Sequence, residues 1–479
     1  MKKLLIFLLS ALLYLSGSAF CGFYVAKVDA NLFNNTSEVI LVRKANETVI
    51  TMKNDYEGDL KNFAMIVPVP EVIKKDKIRI ANPAIFQKLH DYSGPRLVEY
   101  NDEHPCMKVL YDYAISSRAN GVGNAQFKDN RNQVTVLESY TVGEYDIVVL
   151  SAKQSDGLAT WLKSNGYKIP EKAGKLLQPY VRNGMKFFVV KVNLQEQAKV
   201  GGQALRPIQL RFNSEKFVLP IRLGMANAKG SQDMLVYAFT AQGRVTSTNY
   251  RTVEIPTNIE IPEFIEEEFQ PFYKALFDNA HRKAGKNVVF TEYAWNLNSD
   301  NFVKCDPCAT TPPSLAELKE AGVSWLEKPQ NQGRWAGSDY QGNLHFTRLH
   351  VRYDHEHFPQ DLQFQVTPNK ENFQGRYVIN HPRPDEANLE NCDNASGYYA
   401  DVVERRKQEM IDCEKLTGWD LSDRFLAYVG PYELLRNKYE KDALPFIPEP
   451  WTPAWPIVLM LSLGLGLWFL IRRARLALN

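Results

Sequence analysis

The chain has 479 residues, 44% hydrophobic, 12% aromatic and 23% charged, with 57 Lys+Arg against 55 Asp+Glu. That length leaves room for two or three domains with ample core, which excludes a small disulfide-stapled scaffold. The ordinary charged fraction excludes wholesale disorder, and a net charge of +2 offers no electrostatic footprint for nucleic acid.

Lys2 and Lys3 precede an apolar run from Leu4 to Leu15, followed by Ser16, Gly17, Ser18 and Ala19. This is the order of a secretory signal peptide over residues 1–19, with cleavage expected after Ala19. Phe20 is too bulky to precede a lipidated cysteine, which argues against a lipid on Cys21. Residues 20–256 are expected to form a strand-rich N-terminal ectodomain. From Phe20 to about Ile115, β-branched bursts such as Val39–Val42, Thr48–Met52 and Phe63–Val69 predict strands throughout. Ser116 to Asn132 is rich in Gly and Asn and reads as a surface loop. Strand patterns resume at Val134–Leu137 and Tyr145–Leu150. Asp156 is a candidate cap for a helix over Leu158–Ser164, and Pro170 opens a second helix through Val181 that Gly184 closes. With the strand Met185–Val192 this makes a β-α-α-β unit. Ile208–Phe212, Phe217–Leu223 and Met234–Phe239 read as further strands.

Residues 257–440 read as a mixed α+β C-terminal ectodomain. Between Pro262 and Gly285 a stripe of Ile265, Phe269, Phe272, Leu276 and Ala280 predicts a helix, which Pro271 must kink or start afresh. Ser314 to Glu317 is a capping-box pattern for a short helix ending at Glu320. A strand pair is expected between His345–Tyr353 and Leu362–Val366, and a second amphipathic helix from Asp401 to Leu416. A Pro-rich linker, 441–456, follows.

From Ala454 to Ile471 there are 18 residues without a charge. As a helix they extend about 27 Å, close to the roughly 30 Å of a bilayer core. Trp455 and Trp468 fall near the two interfaces, and Arg472, Arg473 and Arg475 lie on one flank only. The expectation is a transmembrane helix with its core at 457–471, a basic cytoplasmic tail at 472–479, and the bulk outside. The two ends hold five of the 57 basic residues and no acidic ones, so the ectodomain carries 52 against 55, a net −3. Taken together, the fold class is α+β: a strand-rich extracytoplasmic ectodomain with inserted short helices, plus one C-terminal transmembrane helix. The expected location is the cell membrane, single-pass, with the ectodomain in the periplasm or at the cell surface. Pro448-Glu449-Pro450 before the apolar segment resembles an exosortase sorting signal, which implies removal of the tail.

Six cysteines, Cys21, Cys106, Cys305, Cys308, Cys392 and Cys413, are most simply three disulfides in an exported chain. Proximity in sequence suggests Cys21–Cys106, Cys305–Cys308 and Cys392–Cys413. Cys305-Asp306-Pro307-Cys308 also has the spacing of a thiol–disulfide redox pair. That chemistry wants the first thiol at a helix N-terminus, whereas the nearest helix begins at Ser314, so a structural bond is the expected role. Four of the eight histidines, His345, His350, His355 and His357, share one window. His355 and His357 flank Glu356 on one strand face and are the metal-ligand candidates; a solvent-facing strand end is the plainer account. No Gly-x-Ser-x-Gly elbow, His-Glu-x-x-His, phosphate loop or dinucleotide fingerprint occurs, so no cofactor or catalytic residue is assigned.

These stretches carry a resemblance. Phe63 to Pro70, then Pro95-Arg96 and Cys106, are similar to the opening of the bacterial family called domain of unknown function 2330. The similarity continues through Tyr145-Asp146, Trp161-Leu162, Asn165-Gly166-Tyr167, Tyr180-Val181 and Gly184-Met185. It extends to Leu219–Gly224, Asp233, Glu292–Trp295 and the Cys305/Cys308 pair. Thr347–His350, Phe358-Pro359, Asp361-Leu362, Asn372–Tyr377 and Leu416–Trp419 complete it. The resemblance implies a signal peptide and a terminal membrane segment, and His355 and His357 are not among the family's recurrent positions. It brings no established activity. The expected role is non-enzymatic, binding or envelope assembly, with the membrane and an unknown protein or envelope ligand as partners and no nucleic acid. The alternatives are an envelope thiol–disulfide oxidoreductase using Cys305 and Cys308, and an exosortase-processed surface protein.

Overall fold

The computed structural model describes residues 23–27, 33–34, 37–53, 56–57, 63–106, 136–151, 158, 161–162, 164, 167–168, 173–200, 205–227, 230–297, 311–329, 339–384, 392 and 394–442. They divide into two compact units. Unit 1 comprises Met1–Tyr100, Ile115–Asn380 and Asp412–Trp419; unit 2 comprises Asn101–Ala114, His381–Ile411 and Asp420–Asn479. The expected α+β, strand-rich class is what the structure shows.

Unit 1 is built around two large sheets, with two three-stranded sheets and a two-stranded ribbon besides them. A six-stranded antiparallel sheet runs in the order Tyr167–Lys168, Phe23–Lys27, Phe63–Val69, Lys186–Val192, Tyr145–Ser151, Val136–Val142. A nine-stranded sheet runs Arg251–Glu254, Val288–Asn296, His345–Tyr353, Gln232–Thr240, Ser37–Lys44, Glu47–Met52, Ile208–Asn213, Ile78–Ile80, with Phe373–Gln374 added beside Val288–Asn296. Strands from both sides of residue 256 therefore share one sheet and one unit.

Side-chain alternation explains how the sheets bury themselves. On Ser37–Lys44, Val39 and Leu41 enter one core while Ile40 and Val42 enter another. The first core interleaves Met65, Val67, Ile147 and Phe188 of the six-stranded sheet with Val39, Leu210, Val236 and Leu349 of the nine-stranded one. The second lies on the opposite face of the nine-stranded sheet, beneath Ile85, Phe86 and Leu89 of a helix and Leu315 and Leu318 of another. Each such residue contributes about 1.5–3 kcal/mol by leaving water. A strand buried on both faces has no polar side, so it reads as a continuous apolar run.

Several expectations need correction. The stretch read as strands up to Ile115 contains a helix, Ala84–Ser93. Its signals were Asn82, whose Oδ1 accepts from Ala84 N–H at 3.0 Å, and a buried stripe of Ile85, Phe86, Leu89 and Ser93. The strand expected to reach Leu223 stops at Leu219, because Pro220 has no N–H to give a ladder. His345–Tyr353 and Leu362–Val366 are strands but not partners. The first is flanked on both edges by Gln232–Thr240 and Val288–Asn296, and the second pairs with Phe217–Leu219 and Val245–Ser247. Pro271 starts a shorter helix, Phe269–Lys283, where its missing N–H falls in the first turn and costs no bond. The Ser314 capping box forms as expected, with Leu315–Glu320 behind it.

Unit 2 holds most of the helix Ala395–Thr417, which begins earlier than Asp401, and the helix Ser422–Asp442. Cys106 and Cys392 are bonded, with Cα atoms 5.8 Å apart. This overturns two of the three pairings by proximity: Cys106 is not joined to Cys21, nor Cys392 to Cys413, a buried thiol in no disulfide among the described residues. Sequence proximity misled because chain return, not spacing, brings residues 286 apart together. Beside the bridge, Asp102 receives a two-pronged Arg405 at 2.6 and 3.1 Å and the Tyr398 hydroxyl at 2.7 Å. The loop Ser116–Asn132, Cys21, Cys305, Cys308 and the segment 454–471 lie outside the described residues. Among the described residues, no helix is long and apolar enough to cross a membrane.

A bridge closing so long a loop restricts the unfolded chain strongly. Cys392→Ser is expected to lower unfolding free energy by about 3–5 kcal/mol. Denaturant titration with and without reductant checks this: wild type in reductant should match the variant.

Candidate functional site

A groove of about 370 Å³ opens in unit 1 at the end of the strand Phe63–Val69. Val67, Pro68, Val69 and Pro70 form one wall, and Ile50 and Phe212 reach it from the nine-stranded sheet. Lys216, Val218 and Pro220 alternate along one face of the Phe217–Leu219 segment and form another wall, with Gln363 directly across from Val218. Tyr180, on the helix Ala173–Arg182, and Met185 close one side.

One ionic cluster stands in this mostly apolar lining. Asp361 Oδ1 accepts from the Tyr180 hydroxyl at 2.7 Å and from the Arg222 backbone N–H at 3.1 Å. Arg222 Nη2 reaches Asp361 Oδ2 at 3.4 Å, and its guanidinium lies 5.1 Å from the centre of the Tyr180 ring. Burial, then the Asp361 charge, push the Tyr180 phenol well above its usual range, so it stays a neutral donor. Arg222 Nε is buried without a hydrogen-bond partner among the described residues.

A second polar constellation, buried at its centre and partly exposed at its edge, lies on the other side of the nine-stranded sheet. The strand Val288–Asn296 slips register between Thr291 and Tyr293, leaving Glu292 as the extra residue of a bulge. Glu292 has no exposure; its carboxylate takes Arg348 Nε at 2.6 Å, His350 Nδ1 at 2.7 Å and the Tyr273 hydroxyl. His350 Nε2 lies 3.3 Å from Asp233 Oδ1, close enough for an ion pair but poorly aligned for a hydrogen bond. Asp233 in turn holds Arg352 by two bonds of 2.8 and 2.9 Å, and Arg352 holds Asp278 at 2.5 Å. The Phe277 ring stacks on His350 at 3.8 Å. Burial alone would lower the His350 pKa; Glu292 and Asp233 outweigh it and push it up to about 9. Burial would raise Glu292, and Arg348 with His350 bring it down to about 2. None of these groups lines the groove.

The residues singled out from sequence fall elsewhere. His355 and His357 are not on a strand face; the strand ends at Tyr353 and both lie in the following turn. His355 Nε2 meets the Met225 carbonyl at 3.1 Å, and His357 Nδ1 meets Asp354 Oδ1 at 2.8 Å. Among the described residues, no three His, Cys, Asp or Glu side chains converge as a metal site would require. Sequence reasoning assigned no role to Tyr180, Lys216, Arg222 or Asp361. The available signal was indirect: Tyr180, Arg222 and Asp361 each lie in a stretch that carries the family resemblance.

Fold and site together define a strand-rich α+β protein built around two large sheets, with a ligand-sized groove. The chain belongs to the family described as uncharacterized protein conserved in bacteria (DUF2330), which matches residues 15–365. That match contains both the groove and the buried constellation, and stops before the helices Ala395–Thr417 and Ser422–Asp442. No curated protein matches the chain. Among solved structures, a mutated baculovirus P35 after caspase cleavage is 10% identical, over 48% of this chain and 79% of that one, with a TM-score of 0.24. Another structure of mutated, cleaved baculovirus P35 is 9% identical over 71% and 98%, with a TM-score of 0.25. Likeness at this level defines neither fold nor function.

The charged constellation makes stability depend on pH in a definite direction. His350 has a folded pKa above its unfolded value of 6.5, so its contribution is complete below that value and is lost as pH rises toward about 9. Glu292 has the opposite sign: its contribution is present above 4.5 and lost as pH falls toward about 2. Glu292→Gln is expected to cost about 3–5 kcal/mol, because it strands Arg348 and His350 in the interior. Melting temperature against pH should fall between pH 7 and 9 for wild type and lose that slope in His350→Gln.

Proposed function

We propose that the chain is an exported, single-pass membrane-anchored binding protein whose groove faces the space outside the cytoplasm. The groove carries the binding part of this reading. It is concave and mostly apolar, with a few convergent polar groups, which is the usual make-up of a small-molecule site. Its carboxylate is already engaged by Tyr180 and Arg222, which holds the polar groups of the groove in place around a ligand. The Cys106–Cys392 bond supports export, since a bridge of this kind persists in oxidising compartments. The signal-peptide pattern of residues 1–19 and the charge-free segment Ala454–Ile471 with its one-sided arginines support the anchor and its orientation. The role is binding or envelope assembly, with the transmembrane helix retained.

Expression in a bacterial host tests this. The chain should remain in the membrane pellet after alkaline carbonate extraction, and deletion of 454–471 should release it. Its intact mass should lack residues 1–19 and retain the basic tail. Protease added to intact spheroplasts should digest the ectodomain. A chain protected from that protease refutes the orientation, and a mass lacking the tail shows processing instead of anchoring.

A further inference from the structure

Building on the groove as a binding site, we infer that its ligand is a small organic anion: a carboxylate, or a group of like charge, on a compact apolar body. The volume sets the size class, since about 370 Å³ lies at the small end of small-molecule sites. Val67, Val69, Met185, Phe212 and Val218 give the body its apolar walls.

The charges choose the sign. Three charged side chains line the groove: Arg222, Lys216 and Asp361. Asp361 is engaged on both oxygens, one taking the Tyr180 hydroxyl and the Arg222 backbone N–H while the other faces Arg222 Nη2. Arg222 keeps donors to spare: its Nη2 bond to Asp361 is long at 3.4 Å, and its side chain is only partly buried. A guanidinium held to its carboxylate by one long bond has donors left for an entering anion, and charge-assisted bonds of that kind are the strong ones. Lys216, exposed on the adjoining wall, adds a second positive charge. A peptide laid along the wall as an added strand is disfavoured, because Pro68, Pro70 and Pro220 offer no N–H.

Isothermal titration of the full chain in lipid nanodiscs, with empty nanodiscs subtracted, tests the inference using 4-phenylbutyrate, 4-phenylbutanol and 4-phenylbutylamine. The three share one apolar body and differ in charge. The carboxylate should bind about tenfold or more tighter than the alcohol, and the amine weakest. Arg222→Gln should abolish the preference for the carboxylate while leaving alcohol affinity in place. Should that variant not fold, Lys216→Met, at an exposed position, should still weaken the carboxylate and not the alcohol. Equal affinity for carboxylate and alcohol leaves the groove as a binding site but overturns its anion preference. Tightest binding of the amine also overturns it, by showing that Asp361 governs. Binding of none of the three removes the groove reading itself.

Discussion

A buried carboxylate that cannot reach water is the constraint around which unit 1 is arranged. Glu292 is fully enclosed, and an isolated charge there would cost several kcal/mol. It is tolerated because Arg348, His350 and Tyr273 converge on it from an adjacent strand and from the helix Phe269–Lys283. The bulge makes that convergence geometrically accessible. It lets Glu292 and Tyr293, neighbours in sequence, both address the side of the sheet where Arg348 stands. A one-residue slip of either strand would break three charged contacts at once, so the ion cluster fixes register as well as contributing energy.

The cluster also ties the helix to the sheet. Asp278 on the helix is joined to Arg352, Arg352 to Asp233, and Asp233 faces His350. Phe277 fills the space over His350 and keeps the pair dry, which strengthens each charge interaction. Further along the same face, Tyr237 donates to Glu38 at 2.9 Å, carrying the polar chain to the strand Ser37–Lys44. Four strands of the nine-stranded sheet are therefore held on one face by these polar contacts together with the second core, and on the other by the first core.

How much of this was legible in sequence depended on the range of the interaction. Local signals survived: β-branched bursts marked Val39–Val42 and Phe63–Val69, and the Ser314 capping box marked its helix to the residue. The helix Ala84–Ser93 was missed because a β-rich neighbourhood outweighed its Asn82-Pro83 start and its buried stripe. Long-range facts were not encoded locally. Nothing near Cys106 points to Cys392, and Arg222 and Asp361, 139 residues apart, announce no partnership. The bulge at Glu292 is likewise invisible to a period-of-two pattern, since it shifts the phase by one residue. What the family-like stretches did give was a set of positions, and the fold shows where they meet. Glu292, Arg348, His350 and Asp233 meet in the charged cluster, while Pro68, Tyr180, Arg222 and Asp361 meet in the groove.

The two sites divide the work between opposite faces of one sheet. Ile50 and Phe212, which wall the groove, belong to the core on the face away from Glu292, so the groove rests on the packed face of that sheet. Its other wall is made stiff by composition. Pro68 and Pro70 fix their own backbone torsions, and Pro220 ends the strand beside them. A groove so built loses little ordering entropy when a ligand enters, which is the physical condition for a small pocket to bind well with few contacts.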